Sequence, residues 1–134
     1  MTLIKSISGI RGTIGGGVGD SLSPLDIVRY TSSYATFIKQ QKSVSNCIVI
    51  GRDARASGYM VSNIVSGVLM SFGFDVLDVG LSTTPTIEVT VKLEDCAGGI
   101  IITASHNPRE WNALKLLNSN GEFLSQNDSE QILF

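Results

Sequence analysis

The sequence predicts an α/β protein, a three-layer α/β/α sandwich around a mostly parallel sheet whose last strand is antiparallel. Short apolar runs such as Cys47–Ile50 alternate with longer amphipathic segments, which is the order expected of βαβ units. The interval from Ile102 to Leu114 is too short for a crossover helix, so the strands on either side of it should be antiparallel. Residues 1–134 are enough for one domain with its own core.

The N-terminal part is predicted to contain one strand and one helix. Leu3–Arg11 alternates loosely between apolar and polar residues, which predicts a short strand leading to a turn at Gly9 and Gly12. Ser23 is predicted to cap the helix that follows, because Pro24 suits the first helical position and an amphipathic pattern continues from there.

The middle of the chain is predicted to be a buried strand, a loop and a helix. The run Cys47–Ile50 indicates a central strand buried on both faces. In the loop that follows, two interpretations stay open. Its arginines could bind an anion at the helix start, or Asp53 and Arg55 could pair and brace the loop while Ser57 caps the helix. The bracing role is favoured.

The last part is predicted to hold a strand over Phe74–Gly80, a helix capped within Ser82–Thr86, a buried strand ending at Ile102 and a strand over Leu114–Leu117. Ser125 is predicted to cap a further helix. This helix stops at the apolar residues Ile132, Leu133 and Phe134, which suggests a truncated segment.

Composition excludes several classes of function. The net charge is −2, so no basic surplus favours nucleic acid or an anionic membrane. No apolar run approaches the roughly 20 residues of a spanning helix, and the N-terminus does not resemble a signal peptide, so a cytoplasmic protein is expected. Cys47 and Cys96 lack the spacing of a zinc site and are expected to be reduced packing residues.

The polar loop Thr103–Pro108 directly follows a buried apolar strand. Ligands of α/β folds usually bind at strand ends, so Ser105 is a candidate nucleophile or phosphate carrier. Asn107 tolerates unusual backbone angles, and Pro108 disfavours the helical conformation of the residue before it. The alternative is that Ser105 is an ordinary turn residue.

A serine hydrolase is a weak hypothesis. Ser105 and His106 are adjacent in an extended segment and should point to opposite sides, and no G-x-S-x-G elbow is present. A hydrolase would need a second histidine or a lysine base that contacts Ser105. The cation nearest in sequence that could serve as acid or base is Lys115.

Two motifs, T-A-S-H-N-P at 103–108 and N-A-L-K at 112–115, resemble the active-site signature of the α-D-phosphohexomutase superfamily, which includes phosphoglucomutases, phosphomannomutases and phosphoglucosamine mutases. Three further stretches agree in order and spacing: Ser8–Gly12, Gly51–Gly58 and Asn118–Leu124. The resemblance covers essentially the whole chain and implies the first of four domains.

The resemblance also implies a mechanism. Ser105 would be carried as a phosphoserine that exchanges phosphoryl groups with a hexose phosphate, interconverting the 1-phosphate and 6-phosphate through a bisphosphate. Arg11 and His106 would lie near the transferred group and bind phosphate. Lys115 would act as general acid or base and would suit that role if burial beside cations lowered its pKa.

The resemblance further implies Mg2+ between the phosphate of Ser105 and aspartates that lie outside this chain. Mutase activity would then need the remaining domains of a parent enzyme, so residues 1–134 alone should be inactive. The alternative from another class is a non-catalytic module that binds anions or docks to other domains, with Ser105 as a turn residue.

Overall fold

A computed structural model describes residues 1–43 and 45–132, which form one mixed sheet with helices on both faces. The predicted apolar end of the last helix, Leu133 and Phe134, lies outside the described residues. The elements in chain order are β1 (Ile4–Ser6), β2 (Gly9–Thr13), α1 (Pro24–Lys39), β3 (Cys47–Arg52), α2 (Gly58–Ser71), β4 (Asp75–Leu81), α3 (Thr84–Leu93), β5 (Gly98–Ile102), β6 (Trp111–Leu117) and α4 (Gln126–Glu130).

The strand order in the sheet is β1-β2-β6-β5-β3-β4. β3 pairs in parallel with β4 and β5, whereas β5–β6, β6–β2 and β2–β1 are antiparallel. The α/β class and the antiparallel β6 are therefore confirmed. The sheet contains fewer parallel strand pairs than predicted, because the N-terminal segment adds two antiparallel strands beyond β6.

The N-terminal strand prediction was wrong in detail. The chain turns at Ile7 and Ser8 and forms the hairpin β1–β2, so Gly9 lies inside β2 and pairs with Lys115. Gly9 has φ +150°, and a Cβ there would collide with the carbonyl oxygen of Leu114. This glycine permits close backbone approach between β2 and β6 and does not form a turn.

Three of the four predicted helix caps are confirmed. Ser23, Thr83 and Ser125 each accept a hydrogen bond from the backbone N–H three residues further on. The cap at Ser57 was wrong. Its backbone is already helical, and its Oγ accepts a hydrogen bond from Asn112 Nδ2 at 2.9 Å, so this hydroxyl joins the loop to β6.

The sheet separates two hydrophobic clusters, which gives the three predicted layers. Side chains from β3, β5 and β6 alternate between the faces. The larger cluster packs α1 and α2 against one face, where Ile50, Ile100 and Leu114 are fully buried. The smaller cluster packs α3 against the other face, over Val49 and Ile101. Within the described residues no helix is both long and apolar enough to span a membrane.

Candidate functional site

An open pocket of about 460 Å³ lies where the loop after β5 meets β2 and β6. The four candidate residues from the sequence, Arg11, Ser105, His106 and Lys115, all line it. They come from three segments: β2, the loop after β5, and β6. The sheet thus brings residues from opposite ends of the chain to one surface.

Ser105 is exposed and has φ +53°, in the left-handed region that non-glycine residues rarely adopt. Its N–H donates to Thr103 Oγ1 at 3.1 Å, and the N–H of Asn107 donates to the Ala104 carbonyl at 3.0 Å. The unusual backbone angle was expected at Asn107, but Ser105 adopts it. The surrounding loop must therefore hold the serine in place.

Lys115 contacts the serine directly, because its Nζ donates a hydrogen bond to Ser105 Oγ. Lys115 lies in the middle of β6, opposite Gly9 of β2 and Ile101 of β5. Partial burial and then the positive charge of Arg11 lower the pKa of Lys115, against a smaller opposing effect of Asp53. A lysine in these surroundings would suit the role of general acid or base.

Arg11 and His106 complete the rim of the pocket around Ser105. Arg11 pairs with Ala113 in the sheet, and its Nη1 lies 3.5 Å from Asn107 Oδ1, at the outer limit of a hydrogen bond. Arg11 and His106 are both exposed. Among the described residues no hydrogen bond joins His106 to Ser105, as their adjacency predicts. The guanidinium of Arg11 and the imidazole of His106 remain accessible to an anion in the pocket.

Arg55 braces the loop much more extensively than the sequence indicates. Its guanidinium is nearly buried and donates to four carbonyl oxygens of the Ser105 loop and the start of β6, namely those of Ser105 (2.9 Å), Asn107 (2.9 Å), Pro108 (2.7 Å) and Trp111 (3.0 Å). These bonds occupy both terminal nitrogens. The bracing interpretation is confirmed, and the terminal nitrogens of Arg55 are already bonded to backbone carbonyls.

Asp53 links this brace to the strand end. Its carboxylate accepts from Arg55 Nε at 3.1 Å and from Thr103 Oγ1 at 2.5 Å, and Thr103 in turn accepts from the N–H of Ser105. Sequence reasoning missed Thr103. The signal that could have found it is the parallel pairing of β3 and β5, because Asp53 and Thr103 both follow directly after the paired residues Arg52 and Ile102.

The groups around Ser105 do not form a metal site by themselves. Across residues 1–43 and 45–132, no cluster of three histidine, cysteine or acidic side chains could hold a metal ion. The carboxylate of Asp53 is already bonded to Arg55 and Thr103. Arg11 and Lys115 line the pocket with Ser105, and such basic groups bind a phosphate and repel a metal ion.

The chain is similar to known proteins over nearly its whole length. A sequence model described as phosphoglucomutase/phosphomannomutase, alpha/beta/alpha domain I, matches residues 3–133. A phosphoglucomutase/phosphomannomutase of Thermococcus kodakarensis is 38% identical over 84% of this chain and 24% of its own length. A phosphoglucosamine mutase of Helicobacter pylori is 38% identical over 96% of this chain and 28% of its own length.

A crystal structure of a putative phosphomannomutase from Thermus thermophilus has the same fold, with a TM-score of 0.83 and 24% identity over 98% of this chain and 29% of that one. The chain thus spans about a quarter of the length of the relatives that it matches.

Proposed function

Because the chain belongs to the phosphoglucomutase/phosphomannomutase family, we propose that it is the serine-bearing domain of a phosphosugar mutase in which Ser105 carries the transferred phosphoryl group. The reaction would interconvert a hexose 1-phosphate and a hexose 6-phosphate. One observation supports this assignment above the others: Lys115 Nζ contacts Ser105 Oγ inside a pocket that Arg11 and His106 also line.

Each side chain has a role in this proposal. The Oγ–P bond of phosphorylated Ser105 breaks as a sugar hydroxyl attacks phosphorus, and the resulting bisphosphate later returns its other phosphoryl group to the serine. Lys115 gives a proton to Oγ as the phosphoryl group leaves, and the proton that the attacking sugar hydroxyl loses replaces it on the lysine. On return of a phosphoryl group to Ser105 these proton movements are reversed. Arg11 and His106 bind the phosphoryl oxygens, since phosphoryl transfer mainly needs positioning and charge neutralisation.

The proposal extends to groups beyond this chain. The phosphate of Ser105 would supply one oxygen to Mg2+, and the other ligands would come from the remaining domains of a longer cytoplasmic enzyme. Those domains would also provide most contacts to the sugar. Neither nucleic acid nor a membrane is a partner in this proposal.

The experiment is intact-mass and peptide mass spectrometry of the full-length parent, before and after treatment with glucose 1,6-bisphosphate. One phosphate on Ser105, lost on addition of a hexose monophosphate, is the expected result. Lys115→Arg keeps the charge, but a guanidinium does not release a proton at moderate pH, so transfer should slow about 100-fold or more. A Ser105 that stays unmodified would contradict the proposal and favour the non-catalytic binding module.

One observation favours a second candidate. A lysine that contacts Ser105 is the feature that a serine hydrolase with a lysine base would require, and Lys115 provides it. A fluorophosphonate probe separates the two, because it labels a serine activated for acyl transfer. The mutase proposal expects no label on Ser105, whereas rapid labelling that Lys115→Arg abolishes would favour the hydrolase.

A further inference from the structure

Cys47 and Cys96, expected from the sequence to be reduced packing residues, lie together at the end of the sheet away from the pocket. Their Sγ atoms are 3.1 Å apart, although 49 positions separate them in sequence. Cys47 begins β3, and Cys96 lies two residues before the parallel strand β5. A backbone hydrogen bond from Ala97 N–H to the Cys47 carbonyl, at 2.7 Å, holds the strand starts together.

We propose that Cys47 and Cys96 are a redox modification site, which a small disulfide converts reversibly into an intramolecular disulfide. A disulfide bond is about 2.05 Å long, so the sulfur atoms need to approach by about 1 Å. They are also the only two cysteines of the chain, so no other thiol within it competes for either sulfur. This proposal is independent of the phosphoryl chemistry of Ser105.

The two thiols differ in a way that assigns their order of reaction. Cys47 is partly exposed, whereas Cys96 is buried in the cluster under α3. Burial, then the neighbouring sulfur of Cys47, then the carboxylates of Glu94 and Asp95 raise the pKa of the Cys96 thiol. Cys47 is therefore the first nucleophile, and Cys96 is the resolving thiol.

The reaction balances in two exchanges. The Cys47 thiolate attacks the reagent's S–S bond, which breaks, so a mixed disulfide forms and one thiolate leaves. Because Cys47 then carries no charge, one of the effects that raise the pKa of Cys96 is removed. The Cys96 thiolate attacks Cys47 Sγ, the second reagent thiolate leaves, and the two cysteine protons end on the two released thiols. The two cysteines are oxidised, and one reagent disulfide is reduced.

The surface beside Cys96 indicates which reagent should react fastest with Cys47, because the two sulfur atoms are only 3.1 Å apart. Lys92, Glu94 and Asp95 line an open depression there, so its local charge is negative. Cystamine, a disulfide with two ammonium groups, is attracted to this surface, whereas glutathione disulfide is anionic and is repelled. Cystamine should therefore oxidise the pair faster than glutathione disulfide does at low ionic strength.

The test uses the 134-residue chain, reduced and then incubated with excess cystamine. The expected result is loss of both free thiols, a mass lower by about 2 Da with no cysteamine attached, and a cross-linked peptide that joins Cys47 to Cys96. Dithiothreitol should restore both thiols. The oxidised chain should melt higher by about 5 °C or more, because the bridge closes a long loop.

Cys96→Ala is the matched variant, and it should keep one cysteamine bound to Cys47 because no resolving thiol is present. Should that variant fail to fold, the wild-type result decides alone. Cysteamine retained on the wild-type chain, disulfide-linked dimers, or two thiols that stay unreacted would each overturn the proposal.

Discussion

At the scale of single residues, the site depends on how the charges around Ser105 are arranged. Lys115 contacts the hydroxyl, and Arg11 is the nearby cation that helps to lower the pKa of that lysine. The same guanidinium is available for phosphate oxygens. In the proposed mechanism, one arginine would therefore bind phosphate oxygens and also make it easier for its lysine neighbour to give up a proton.

We expect Arg11→Gln to raise the pKa of Lys115. The substitution removes a positive charge that disfavours the lysine's charged form, while the burial of Lys115 is retained, so the pKa should remain below the ordinary lysine value. NMR titration of the lysine side-chain signals measures this, with Lys92 on α3 as the internal reference. An unchanged or lower pKa in the variant would contradict this electrostatic account.

At the scale of elements, the loop between β5 and β6 is held from outside by the loop after β3. Three of its backbone carbonyls, and that of Trp111 at the start of β6, accept from Arg55, and Asp53 connects the same arginine to Thr103. The position of Ser105 is therefore a property of three strands acting together, and the local loop sequence alone does not determine it.

Arg55→Lys should destabilise the chain by about 2–4 kcal/mol, although it keeps the charge. A lysine ammonium cannot reproduce a planar fork that reaches four carbonyls at once, so some of these exposed or partly buried acceptors lose their donors. Urea unfolding measures the change. Arg109→Lys is the matched control, because Arg109 is exposed in the loop between β5 and β6 that Arg55 braces. Equal effects of the two substitutions would rule out this bracing role.

Gly9→Ala should cost more than about 3 kcal/mol or prevent β2 from pairing with β6. The alanine Cβ would meet the Leu114 carbonyl oxygen, and φ +150° disfavours any side chain. Gly17→Ala is the control, because Gly17 has open space around its Cβ position, so its effect should stay within about 0.5 kcal/mol. Thermal unfolding of both variants by circular dichroism gives the comparison. A stable Gly9→Ala chain with the wild-type melting temperature would show that the close approach is not required.

At the scale of the whole molecule, the chain spans about a quarter of its curated relatives, and the pocket is open. We expect no mutase turnover from residues 1–134 with glucose 1-phosphate, glucose 1,6-bisphosphate and Mg2+. The described residues supply cations for a phosphate but no ligand set for the metal. A coupled assay for glucose 6-phosphate measures this, with the full-length parent as the positive control. Sustained turnover would show that one domain is sufficient.

The sequence predicted the parts of this molecule that depend on local patterns. Apolar runs located β3 and β5, and the caps at Ser23 and Ser125 marked helix starts. The sequence could not show which residues pair or form hydrogen bonds when they are far apart along the chain. Gly9 lies in β2 because it pairs with Lys115, 106 positions later, and the role of Arg55 depends on carbonyls beyond residue 104. Patterns of hydrophobicity do not encode such pairings.

The four carbonyl bonds of Arg55 have a consequence for the energetics of the proposed reaction. The loop that bears Ser105 is preorganised, because the entropy of ordering it is lost during folding and not when a substrate binds. Reorganisation energy at the serine should therefore be small in every encounter with a sugar phosphate. Any conformational change of a longer parent enzyme would then move other parts toward a fixed hydroxyl.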